Sequence, residues 1–242
     1  MHNYSEIFRV RAHQYHTAMQ TFPQARDAEF LALLEDLPAT AMDILDVPSG
    51  GGYLSGYLPA SLRLSSCDFS AGFANTGVPL ASTDQLPYPS ASFDAVLSLT
   101  GLHHVPCTEQ ESFLAECHRV LRCGGHVLVG EVLAGTPVDA FLNEFVHRHN
   151  SQGHTGEFLD AAFLERLKHA GFTDAGMTRR DYVWRFPDIT ALCFYCRNMF
   201  GIDKADDATL EQGLREYLKF RSVPGGSVEL PWQLVFFQAL KR

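Results

Sequence analysis

Ile44-Leu45-Asp46-Val47-Pro48-Ser49-Gly50-Gly51-Gly52-Tyr53-Leu54 joins a short apolar strand to a glycine-rich turn and then to a helix start. A loop of this kind suits a nucleotide-type cofactor. Glycines let backbone N–H groups approach a ligand with no Cβ in the way, and the acid that closes the strand can anchor a polar group. One glycine-rich turn is a weak signal. The chain on either side must supply the partners that such a loop requires.

Working outward, residues 5 to 36 carry Phe8, Tyr15, Met19, Phe30, Leu31 and Leu34 at helical spacing, broken near Thr21-Phe22-Pro23, which predicts two helices. Strands are predicted at 44–47, 62–68, 79–83, 93–99 and 126–133, with helices opening at Gly52 to Leu58, at 70–76 and at Glu109 to Leu121. Near-continuous apolar strands alternating with helices indicate a parallel sheet covered on both faces. Right-handed crossovers then bring the strand C-termini, with Asp46, Asp68, Asp84 and Leu99-Thr100, to one edge where ligands bind. Beyond Leu133 the pattern loosens into a segment rich in His, Asn and Gly. A helix follows at 160–170, a strand at 176–184, helices over 187–221, a turn at Pro224-Gly225-Gly226-Ser227 and a last strand.

The 242 residues, 46% hydrophobic and 19% charged, fit one large domain with a substantial core, and a formal charge of −9 argues against general affinity for nucleic acid. No apolar run reaches the roughly 20 residues of a membrane helix. The polar, histidine-rich start does not read as a signal peptide. Six scattered cysteines predict reduced thiols and a cytoplasmic protein. Cys193 and Cys196 form a CxxC pair without two further ligands at matching spacing, so helix packing is the expectation there, and no metal site is expected.

The order of these signals resembles the class I S-adenosylmethionine-dependent methyltransferases, in particular the group that methylates small molecules. The likeness runs motif by motif over about residues 40 to 135. Asp46, Gly50 and Gly52 of DVPSGGG stand where that family closes its first strand with an acid and a GxG-type turn. Pro48 replaces the usual first glycine and Ser49 a frequent Cys, which removes one backbone N–H and fixes φ. The resemblance implies that Asp68 accepts from both ribose hydroxyls, a task suited to two carboxylate oxygens. It implies that Asp84 takes the adenine amino group beside the N–H of Gln85, with Phe69 and Leu86 sandwiching the ring, and that Asp46 orients the methionine amino group. Phe93-Asp94 with Leu102-His103-His104-Val105, and Leu121-Arg122-Cys123-Gly124-Gly125, match the fourth- and fifth-strand signatures. A nicotinamide enzyme would need GxGxxG, and the last position of that frame is Ser55.

Leu99 and Thr100 would offer a backbone carbonyl to the cofactor, and Tyr15 and Arg11 could close over its carboxylate from the N-terminal helices, with helix packing an equal reading. For a base, the pair His103-His104 follows the fourth strand, with His104 the named candidate, and His149 and His154 lie in the expected lid, where an imidazole suits neutral-pH proton transfer. A loop hydrogen bond is the plainer reading for each. Phe186, Phe194, Tyr195, Phe200 and Trp232 make the cap aromatic, through core packing or a pocket for an apolar acceptor.

These readings predict an α/β, doubly wound, mostly parallel seven-stranded sheet in one domain over 1–242. Its core covers about 40–135, 160–185 and 227–242, and its cap 1–38, 136–158 and 187–224. The implied activity is methyl transfer from S-adenosylmethionine to a small hydrophobic or aromatic acceptor, foremost O-methylation. C-methylation of a quinone-like or polyketide acceptor and a noncatalytic binding module are the alternatives. The expected partner is that small molecule and not nucleic acid; a homodimer is compatible with it.

Overall fold

β1 (Asp43–Asp46), the strand that feeds the glycine loop, lies inside a seven-stranded sheet ordered β2-β1-β3-β4-β7-β5, with β6 paired to β7. In this computed structural model residues 4–242 are described, apart from the side chains of 74–76; the first three residues of the expected 1–38 cap lie outside it. β2 (Arg63–Ser66), β3 (Phe93–Leu99) and β4 (Leu121–Glu131) run parallel with β1. β5 (Thr173–Phe186), β6 (Arg221–Ser222) and β7 (Val228–Leu240) are antiparallel to their neighbours. The β1 run is buried because apolar strands covered on both faces must be.

Two local expectations change. Residues 79–83 form no ladder strand, only the isolated bridges Asp68↔Leu80 and Ser82↔Gln85, and the seventh strand is the short β6. The helix expected from Gly52 is a single 3-10 turn, Tyr53–Gly56. Gly50, Gly51 and Gly52 all take positive φ and Pro59 follows closely, so the chain has no room for a longer helix there.

The helices comprise α1 (Tyr4–Thr21), α2 (Asp27–Leu34), α3 (Cys107–Val120), α4 (Pro137–Ala140), α5 (His147–His149), α6 (Phe163–His169), α7 (Ile189–Phe200) and α8 (Asp207–Gly213). Wider turns, Phe141–Val146 and Leu214–Leu218, follow α4 and α8. α1 buries Tyr4, Ile7, Arg11, Ala18 and Met19, a stripe at helical spacing, against α7 and the 3-10 turn Ala71–Thr76. It lies so close that a Cβ on Gly72 would meet the Phe8 carbonyl oxygen at 1.9 Å. α7 is capped by the Asp188 side chain at its start and by Gly201 in the left-handed region at its end. Its Cys193 and Cys196 are buried, free thiols. No helix among the described residues is long and apolar enough to cross a membrane.

Candidate active site

A cleft opens over the C-terminal ends of β1 and β3, lined by Tyr4, Tyr15, Asp46, Pro48, Ser49, Gly50, Leu99 and Thr100. Asp46 is buried, and its carboxylate accepts no hydrogen bond among the described residues; Oδ2 is fully enclosed. Burial, with the neighbouring Asp68 charge, holds it well above the usual carboxylate range. Ser49 Oγ is likewise buried without a partner. A buried polar atom left unpaired costs of order 1–3 kcal/mol, and a carboxylate more. A donor such as an ammonium group on a ligand in the cleft would satisfy both.

Asp68 is differently placed. At 1% exposure, it receives the backbone N–H of Gly50 (2.9 Å) and the Tyr4 hydroxyl (3.1 Å) on Oδ2, and the N–H of Ser70 (2.8 Å) on Oδ1. Burial pushes its pKa up to about 6, against the pull of those donors. Tyr4 separates the cleft from a second hollow lined by Phe69, Ala81, Ser82, Thr83, Val105 and Pro106. Phe69 gives that hollow a flat aromatic wall, and Asp68 lies behind Tyr4 and Gly50, on the lining of neither space.

Asp84 and Gln85 do not reach this hollow. Both are exposed, Asp84 Oδ1 accepts from Ser82 Oγ (2.6 Å), and both face a separate surface depression beside Glu116 and Arg119. The reason is the missing third strand. The Ser82↔Gln85 bridge turns the chain back on itself, so Ser82 and Thr83, not Asp84, line the hollow. Leu86 packs into the core instead of facing a ring. Gly52 is the left-handed residue ahead of the 3-10 turn and lies off the lining of the cleft.

Phe8, Tyr15, Arg26 and Thr100 form a shared wall between the cleft and a neighbouring cavity. The wall is cross-braced: Arg26 pairs with buried Glu29 and donates to Tyr15 Oη (2.8 Å) and Thr100 Oγ1 (2.8 Å). On the far side stand His103, His104, His154, Met199 and the rings of Trp184, Phe200 and Trp232. Trp184 and Trp232 sit diagonally on adjacent antiparallel strands, with centroids 4.2 Å apart and planes at 22°.

His103, which the sequence offers only as the partner of His104, is the better-placed of the two. Its Nδ1 lies 2.9 Å from Oε1 of Glu131, a fully buried acid at the end of β4 that also accepts the N–H groups of His103 (3.2 Å) and Val132 (2.8 Å). The carboxylate fixes the Nδ1–H tautomer and leaves Nε2 as a base. The available signal was an acid closing β4 directly beside the His-bearing loop after β3. Of the expected bases, His104 and His154 do line the cavity; burial first, and then neighbouring positive charge, holds both well below the ordinary imidazole value. His154 Nδ1 is held by Asn143 Oδ1 (3.1 Å). His149 does not reach the cavity: it packs against Phe145 at a tilt of 46°, with centroids 4.6 Å apart, because α5 turns it away along the outside of the cap. One ring nitrogen from each of His103, His104 and His154 lies within 4.8 Å of the others, so these are the described residues that could hold a metal ion. Arg11 adds positive charge to the same wall, which works against a cation there.

Residues 45–129 match the family model described as a methyltransferase domain. Over 65 residues the chain is 42% identical to the 27-O-demethylrifamycin SV methyltransferase of Amycolatopsis mediterranei, covering 25% of this chain and 23% of that protein. It is 25% identical over 152 residues to a ubiquinone/menaquinone biosynthesis C-methyltransferase of Cupriavidus metallidurans, covering 52% and 62%. The chain thus spans less than two thirds of the length of these curated relatives. A solved structure from Thermotoga maritima, described as an S-adenosylmethionine-dependent methyltransferase and possible histamine N-methyltransferase, shares the fold with a TM-score of 0.61 at 16% identity. That likeness covers 99% of this chain and 100% of the other.

Proposed function

We propose that this chain, whose residues 45–129 match the methyltransferase-domain model, is an S-adenosylmethionine-dependent methyltransferase that methylates a hydroxyl group of a small aromatic acceptor. The observation that carries this reading is the His103–Glu131 pair at a cavity that shares a wall with the cofactor cleft. Asp46 and Ser49, with their unpartnered oxygens, would hold the amino-acid end of the cofactor, and Asp68 its ribose. When bound, S-adenosylmethionine supplies a methyl group on a positive sulfonium and leaves as the neutral thioether.

The protein's task is then alignment and proton removal. An acceptor hydroxyl in the cavity gives its proton to His103 Nε2 as its oxygen lone pair forms the new bond to carbon. Glu131 holds the imidazole in register and stabilises the imidazolium that results. The aromatic walls and the helices over the sheet edge exclude water. A positioned base of this kind is worth about 10²–10⁴-fold.

The test is formation of the demethylated cofactor with hydroxylated aromatic compounds. His103→Gln should lower kcat by roughly 100-fold or more while leaving S-adenosylhomocysteine affinity within twofold; an unchanged rate removes His103 as the base. Failure to bind either form of the cofactor in calorimetry would favour the noncatalytic module, for which Pro48 in the cleft is the argument. C-methylation is the second reading, supported by the named activity of the Cupriavidus relative. Product NMR separates the two, since an O-methyl and a ring C-methyl resonate far apart.

A further inference from the structure

Arg11 is the charge in this molecule that the proposed chemistry leaves unused. It stands on the buried stripe of α1 at 7% exposure and lines the acceptor cavity, not the cofactor cleft. Nη2 donates to the carbonyl of Met199 (3.0 Å), Nε has no partner, and no carboxylate pairs with the guanidinium among the described residues. The fold makes room for it. A Cβ on Gly201, the left-handed cap of α7, would stand 2.3 Å from Arg11 Nε. Asp203 acts on it only from beyond contact distance, and Glu29, the acid that lines the same cavity, is paired with Arg26. A buried cation with no counter-charge in contact is unfavourable unless a ligand supplies one.

The surroundings say what kind of ligand. Trp184 Nε1 and Trp232 Nε1, at the wall of the same cavity, are buried donors without partners. Phe200 lies nearly parallel to both indoles, at 13° and 17°, so this wall is a stack of flat rings. Unmet donors and a cation beside aromatic faces ask for a flat ring that carries an anionic oxygen.

We propose that the acceptor is an aromatic acid: a hydroxylated aryl ring whose carboxylate is bound by Arg11 while its hydroxyl is presented to His103. This deepens the reading of the cavity as the acceptor site and rests on it. It also separates Arg11 from the cofactor's own carboxylate, which lies across the shared wall.

The chain has two tryptophans and both line the cavity, so their fluorescence reports its occupancy directly. With S-adenosylhomocysteine saturating, 4-hydroxybenzoate and its methyl ester are titrated while tryptophan emission and heat are followed. The acid should bind at least tenfold tighter than the ester. Arg11→Gln should bring that ratio within twofold while S-adenosylhomocysteine affinity stays within twofold of the parent, and Arg11→Lys should keep part of the preference, which excludes misfolding as the cause. Equal affinity for acid and ester, or no tryptophan response to either, overturns the proposal. So does a tenfold loss of S-adenosylhomocysteine affinity in Arg11→Gln with the acid preference retained, which would assign Arg11 to the cofactor. A parent protein that binds no S-adenosylhomocysteine sinks the methyltransferase reading instead, and the acid-to-ester ratio is then read without it.

Discussion

The cleft proposed for the cofactor and the cavity proposed for the acceptor share a wall and are built in opposite ways. Around the cleft, the acids stand at or just beyond strand ends, and Asp68 is held largely by the backbone amides of Gly50 and Ser70. Around the cavity, the groups come from α1, the loop after β3, β5, α7 and β7, and the Arg11–Met199 contact joins residues 188 apart in the chain. Backbone amides after a strand hold one ligand shape whatever the side chains nearby. A cavity assembled from side chains on distant elements can be recut without touching that frame. The two regions should therefore fail separately when altered.

The largest expected effect lies on the cleft side. Asp68→Ala should weaken S-adenosylhomocysteine binding more than tenfold in calorimetry, with aromatic-acid binding in the cavity little changed; a parallel loss of both would mean the two regions are one cooperative unit. Next comes pH. Burial pushes Asp68 up to about 6, and the proposed ribose contact requires its ionised form, so cofactor binding should favour proton loss. Affinity should be full above that value and fall toward tenfold per pH unit below it. A flat profile from pH 5 to 7 would sink this role, and in Asp68→Asn the part of the dependence near pH 6 should disappear, leaving only what raised Asp46 contributes.

A smaller effect of opposite sign is expected at Tyr4, whose hydroxyl donates to the carboxylate oxygen that a ribose hydroxyl would use. Tyr4→Phe removes that competitor and should tighten cofactor binding by about 2–10-fold, the worth of one hydrogen bond of about 0.5–1.5 kcal/mol. Weaker binding would mean that Tyr4 helps to hold the nucleoside. The smallest effect is at Asp84: since it faces outward, Asp84→Ala should change cofactor affinity less than twofold. A tenfold loss there would show that the 79–85 segment rearranges when ligand binds.

The cleft was largely legible in the sequence. Asp46, Leu99 and Thr100 line it because they close apolar strands, and Pro48, Ser49 and Gly50 as the family resemblance implied, while Asp68 lies behind the lining. Tyr15 was named with plain packing as an equal reading, and the structure puts it on the wall shared by both spaces. Asp84 failed because its placement assumed a strand at 79–83 that the chain replaces with isolated bridges, and a shift of two residues in a loop exchanges the side that faces the ligand. His149 failed for a similar reason. Two histidines five apart in an irregular cap carry no periodicity to say that His154 turns inward and His149 outward.

His103 and Glu131 show the remaining boundary most clearly. Both residue types are visible in the sequence, one in a loop after β3 and one at the end of β4, but their contact exists because parallel pairing sets Leu99 beside Gly130. The sequence by itself determined the strand ends, the glycine turn and the carboxylates that follow from them, because strand periodicity and φ are properties of neighbouring residues. Only the tertiary structure decided which ring nitrogen is free, which tryptophans face each other and where the unpaired charge of Arg11 lies, because those depend on side chains that meet across elements far apart in the chain.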